Sequence, residues 1–144
     1  MTRPAPRASL PCPSCHAPAG VSLVVKIVED RWQTHESLAC DRCSLTQEAD
    51  GERLTDAAEE VVLAAYGTWA LFVESRGACG PQVLRRVQKL LDLSPSEARS
   101  RTAAGTTAPL AVGSKLMVDA LALRECGAEV ALREVPKASA LNTA

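Results

Sequence analysis

The sequence predicts an α+β chain built as two modules, on the strength of three observations. Four cysteines fall in two matched pairs, Cys12-Pro-Ser-Cys15 and Cys40-Asp-Arg-Cys43, with strand-like alternation between them. From residue 68 onward, short extended runs and helical spacing follow one another in the order β-α-α-β-α-β. Apolar residues make up 47% of the chain but aromatics only 3%, so a core must be assembled mainly from Val, Leu and Ala. A length of 144 residues accommodates one ordinary domain or two small ones, and the change of pattern favours two.

The cysteine spacing carries the most specific chemistry. A C-x-x-C turn presents two thiolates from one tight loop, and two such turns can close a tetrahedron around Zn²⁺ with sulfur ligands at about 2.3 Å. Cys12, Cys15, Cys40 and Cys43 would fill every position of that shell, leaving none for a water or substrate, so the expected role of the metal is structural. A thioredoxin-like redox pair follows a strand and opens a helix; here Pro11 and Pro13 surround Cys12 and strand-like sequence follows Cys15, which argues against it. His16 adjoins the first pair, but four thiolates complete the shell without it.

Between the pairs, residues 21–28 alternate as a strand, Glu29-Asp30 offers a turn, and residues 31–39 form a second strand with Trp32, Thr34, Glu36 and Leu38 on one face. Two cysteine knuckles joined through a β-hairpin make a zinc ribbon, expected over residues 11–50 and too small to fold on its apolar core alone. His35, in mid-strand, reads as an ordinary exposed histidine. Residues 1–10 carry positive charge and prolines but no apolar run, so they are expected to be a flexible N-terminus without the hydrophobic segment of a secretory signal. No later stretch has the roughly 18 apolar residues of a membrane span. The expected location is the cytoplasm, where reducing conditions favour metal over disulfide and Cys79 and Cys126 read as small buried residues.

A connecting helix is expected within 51–67: residues 55–66 have helical spacing, Asp56 and Glu59 are spaced as a capping box, and Gly67 follows. Residues 69–75 then read as a strand. Pro81 suits the first turn of a helix whose Val83, Leu84, Val87, Leu90 and Leu91 recur on one side. Ser94-Pro-Ser-Glu97 combines an N-cap, a first-turn proline and a capping-box glutamate, so a short second helix starts there. Residues 108–112 are extended, and Ser114 can cap a third helix presenting Leu116, Met117, Ala120, Leu121 and Leu123. Gly127 ends that helix, residues 128–135 alternate as a strand, and residues 136–144 are expected to be a flexible tail.

Residues 68–135 resemble the C-terminal domain of the bacterial ribosomal stalk protein of the L-seven/L-twelve type. The resemblance lies in Val83-Leu-Arg-Arg-Val-Gln88, Asp92-Leu-Ser-Pro-Ser-Glu-Ala-Arg99 and Cys126-Gly-Ala-Glu-Val130, with Gly77 placed as in that family. It implies a stalk-like fold, shared with the Clp-protease adaptor, and a surface that recruits translational GTPases. Carried over by position, the partner-binding residues are Leu84, Arg85 and Arg99. Gly80, Pro81, Gln88 and Pro95 depart from the family's pattern, and no stalk dimerisation helices precede the domain.

The function expected from all this is a non-catalytic, zinc-binding adaptor that docks a protein partner, such as a translational GTPase or the ribosome. A net charge of −1 gives no overall attraction to nucleic acid or an anionic membrane, but Arg85, Arg86, Lys89, Arg99 and Arg101 outweigh Asp92 and Glu97 locally. Such a patch around Leu84 can steer an acidic surface and anchor it by burial, although an amphipathic helix also carries charge on its outer face as a matter of course. A nucleic-acid-binding zinc-ribbon regulator is the alternative and a protease adaptor the second. The chain offers no Ser/His/Asp ordering, no phosphate-cradling glycine loop and no open metal site, so no enzyme activity is expected.

Overall fold

The computed structural model describes residues 2–4 and 8–136, and the chain divides between Tyr66 and Gly67 into two compact units. Among the described residues there are four α-helices and two antiparallel sheets, one sheet to each unit.

In the first unit a long hairpin, β3 (Pro18–Val28) and β4 (Arg31–Ala39), is paired from Gly20↔Ala39 to Val28↔Arg31. Its turn places Glu29 and Asp30 at positive φ. The free edge of β3 is paired by β1 (Thr2–Pro4) and β2 (Ala8–Pro11), and that of β4 by β5 (Thr46–Gly51). Alternation sets the inner face: Ala19, Val21, Leu23 and Val25 are buried while Pro18, Gly20 and Ser22 are exposed. The segment after β5 is tied back to β4 by side chains. Thr34 Oγ1 donates to the Arg53 carbonyl at 3.0 Å, and Thr55 Oγ1 donates to Glu36 Oε1 at 2.7 Å. This launches α1 (Asp56–Tyr66), which packs against β2 and buries Ala58 and Val62.

Three expectations change in this unit. Residues 2–4 and 8–11 are paired strands rather than a flexible N-terminus; prolines are tolerated on edge strands, where a missing donor can face away from the ladder. Residues 1 and 5–7 of that segment, and 137–144 of the expected tail, lie outside the described residues. The helix of 51–67 belongs to the first unit rather than standing as a separate connector. Its cap is Thr55 and not Asp56: the Thr55 hydroxyl accepts from the Ala58 N–H at 3.2 Å, and Asp56 falls inside the first turn, where its charge still suits the helix dipole.

The second unit runs β6 (Thr68–Ser75), α2 (Gly80–Leu91), α3 (Pro95–Arg101), β7 (Ala111–Ser114), α4 (Lys115–Leu121), a 3-10 turn (Leu123–Cys126) and β8 (Glu129–Glu134). β6 is central, antiparallel to both β7 and β8. Its Leu71 and Val73 are buried, as are Val83, Val87 and Leu90 of α2, spaced four and three residues apart along one helix face. Leu110, Leu116, Val118, Leu121 and Leu123 complete the core. Each such side chain contributes roughly 1.5–3 kcal/mol through burial. On α4 it is Val118 that is buried, with Met117 only partly so.

Local signals start and stop these elements. Asp92 takes φ 52° and closes α2. Ser94 and Glu97 form a capping box on α3, and Ser114 Oγ accepts from Met117 N at 3.3 Å on α4. Gly127, at φ 84°, ends the 3-10 turn. Gly77 sits at φ 72° against the carbonyl of Gly127, where any Cβ would collide with that oxygen. Arg76, just before it, donates from Nε to Thr102 Oγ1 at 2.9 Å and from a terminal nitrogen to the Arg99 carbonyl at 2.8 Å, clipping the end of α3 to the β6–α2 loop. Among the described residues no helix is long and apolar enough to cross a membrane.

Candidate metal centre

Each cysteine pair sits in the same backbone turn. In the first, Cys12 N donates to Ala17 O at 2.8 Å and His16 N to Cys12 O at 2.9 Å; in the second, Cys40 N donates to Leu45 O at 2.9 Å and Ser44 N to Cys40 O at 3.0 Å. The residue four places after the first cysteine turns left-handed in both, His16 at φ 64° and Ser44 at φ 62°. Glycine takes that conformation without strain. With His and Ser there instead, the repeat of the turn is hidden from inspection of the sequence.

The base of the β3–β4 hairpin brings the turns together. Cys12 Sγ lies 3.6 Å from Cys43 Sγ and Cys15 Sγ lies 3.5 Å from Cys40 Sγ, and all four sulfurs are within 4.8 Å of one another. A tetrahedron of bonds of about 2.3 Å has edges of roughly 3.8 Å, so the cluster matches a four-thiolate metal shell. The four thiols are free of disulfides. Ala19 and the two buried cysteines, Cys12 and Cys40, form a small apolar cluster with Leu38 and Leu45 packed on it.

Electrostatics also suits a cation. The backbone N–H of Cys15, helped by that of Ser14, lowers Cys12 to about 6, and the N–H of Cys43, with that of Arg42, lowers Cys40. At Cys15 the Ala17 N–H also favours the thiolate, but burial and the sulfurs of Cys40, Cys43 and Cys12 outweigh it and push Cys15 up to about 12. Cys43 receives the Leu45 N–H, yet Cys12, burial and Cys40 raise it. Within each pair the first sulfur is readied as an anion and the second is held back by charge already present. A divalent ion at the centre removes that conflict, because it neutralises the thiolates together.

The remaining residues singled out from the sequence fall elsewhere. His16 is exposed. His35 does more than an ordinary exposed histidine: its Nδ1 lies 2.6 Å from Asp50 Oδ1 and its Nε2 3.5 Å from Glu48 Oε1, both on β5. Asp50, with Glu48, raises its pKa. The signal was the i, i+2 spacing of Glu48 and Asp50 in a run not read as a strand. Cys79 is exposed and Cys126 only partly buried, contrary to expectation, because both lie at the ends of elements rather than on their inner faces. In the second unit, Leu84 is partly buried and Arg85 exposed on α2, and Arg99 is exposed on α3, which packs against α2. No family model, curated protein or solved structure matches the chain.

Proposed function

We propose that this chain is a non-catalytic cytoplasmic adaptor, in which a structural Zn²⁺ holds the first unit as a zinc ribbon and a stalk-like second unit docks a protein partner. The observation that carries the reading is the closed set of four sulfurs, Cys12, Cys15, Cys40 and Cys43, each within 4.8 Å of the others. Four thiolates in a tetrahedral arrangement suit zinc, and a full protein shell leaves no position for chemistry on a substrate. Docking rests on Arg85 and Arg99, which are exposed on two helices that pack together, and on Leu84, partly buried one residue before Arg85 on α2. Charge of that kind draws in an acidic surface, and the leucine gives it an apolar contact to bury. The partner the stalk resemblance implies is a translational GTPase or the ribosome.

Two measurements test this. Metal analysis of the purified chain is expected to give one zinc per molecule, and a site holding iron or nothing overturns the first half. Affinity capture with the wild-type chain should retain a translational GTPase that the double variant Arg85→Glu/Arg99→Glu does not. Equal capture by both removes the docking surface.

A further inference from the structure

The two turns repeat each other in backbone, but not in exposure. Cys12 is 0% and Cys40 3% exposed, Cys15 is partly buried, and Cys43 is exposed together with its neighbours Asp41, Arg42 and Ser44. A thiolate reacts with peroxide when the oxidant can reach it, and goes on to a disulfide when a second thiolate stands close by. Held as a thiolate by the proposed metal, Cys43 meets both conditions, because it is exposed and Cys12 Sγ is 3.6 Å away across the two turns. Closing that gap to a bond of about 2.05 Å needs a movement of roughly 1.5 Å, and an exposed turn can supply it.

We propose that Cys43 is a modification site through which hydrogen peroxide opens the metal centre, with Cys12 as the resolving thiolate. The proposal rests on the zinc reading above. In the first step the Cys43 thiolate attacks one peroxide oxygen, the O–O bond breaks, hydroxide leaves and Cys43 becomes a sulfenic acid. In the second the Cys12 thiolate attacks the Cys43 sulfur, the S–O bond breaks, a second hydroxide leaves and the Cys12–Cys43 disulfide forms. The two sulfurs give up two electrons in total and the peroxide takes them. Cys15 and Cys40 are left as the only thiolate ligands, too few for a structural zinc shell, so the ion is released. Their own sulfurs, 3.5 Å apart, are placed to close a second cross-turn disulfide with further peroxide. The oxidised ribbon would keep its turns face to face without metal, whereas bonds within each C-x-x-C would let them separate.

The test uses the full chain, with bound zinc first measured per molecule, then exposed to stepwise hydrogen peroxide. Released zinc is followed with a colorimetric chelator, and disulfides are mapped by non-reducing tryptic digestion and fragment-ion mass spectrometry. Arg42 lies between Cys40 and Cys43, so trypsin separates those two thiols; Cys12 and Cys15 share one peptide, and fragment ions from cleavage between them show which of the two pairs with Cys43. The expected result is that a Cys12–Cys43 crosslink, two hydrogens lighter than the separate peptides, is the first to form, with zinc lost in step with it. A Cys79→Ser chain, which removes an exposed thiol outside the cluster, should behave the same way. A first disulfide within one turn, or zinc lost while Cys43 is still a free thiol, overturns the proposal. A chain that holds no zinc before peroxide is added overturns the metal reading and this proposal with it.

Discussion

The two units reach a folded state by different means. Among the described residues the first buries two leucines, Leu23 and Leu54, beside two cysteines, while the second buries six: Leu71, Leu90, Leu110, Leu116, Leu121 and Leu123. The first has a five-stranded sheet but little to pack on it beyond α1, and its two cysteine turns meet through sulfur. The second has helices set against its sheet, with Val83 and Val87 at 0% exposure, and no cluster of metal-ligating groups among its described residues. The first unit thus adds a sulfur cluster to a small apolar core, while the second relies on a larger apolar core, and they should fail under different insults.

Removing the metal proposed for the cysteine cluster is the largest such test. Zinc-finger peptides gain about 10–16 kcal/mol on binding at neutral pH, more than any side-chain contact supplies. A strong chelator, or Cys40→Ser, should therefore collapse the amide spectrum of residues in the first unit and leave that of the second in place. Persistence of both would dissolve the contrast. The reverse test is Leu71→Ala, a full truncation at 0% exposure, expected to cost about 3 kcal/mol in denaturant unfolding of the second unit with the metal content of the first unchanged. Ser94→Ala sharpens it on a smaller scale. It removes the 3.1 Å bond from Glu97 N and should cost about 1 kcal/mol, again without metal loss.

The smallest effect concerns His35. Asp50 holds the imidazolium, so the folded pKa stands above the ordinary value near 6.5. Stabilisation from the pair is complete below that ordinary value and is lost as pH rises through the raised one. An NMR titration of the His35 ring should show a midpoint above the ordinary value, and Asp50→Asn should bring it down. A midpoint unmoved by Asp50→Asn would mean that the 2.6 Å contact does not persist in solution.

Much of this was legible in the sequence because it is written in short-range chemistry. The meeting of the four cysteines followed from spacing alone, and the capping box of Ser94 and Glu97, the serine cap at Ser114 and the left-handed Gly127 followed from residue type at a chain position. Long-range pairing was not legible. β5 has every residue exposed and so shows no apolar alternation, and β2 carries a proline at its end that reads as a breaker. Thr55 displaced Asp56 as a cap because its hydroxyl also reaches Glu36, a residue of another strand. Arg76, which ties the β6–α2 loop to the end of α3 through Thr102 and Arg99, carries no local signal at all.

The hairpin that separates the cysteine pairs has a further consequence for how this chain can vary. Its rungs begin at Gly20↔Ala39, directly beside the sulfurs, and end far from them at Val28↔Arg31. Residues added or removed in matching numbers on the two arms near the tip would change only the reach of the hairpin, while one residue gained inside either cysteine turn would pull a sulfur out of the cluster. Natural variants should therefore differ freely in the distance from Cys15 to Cys40, in even steps, and hardly ever in the two-residue gaps.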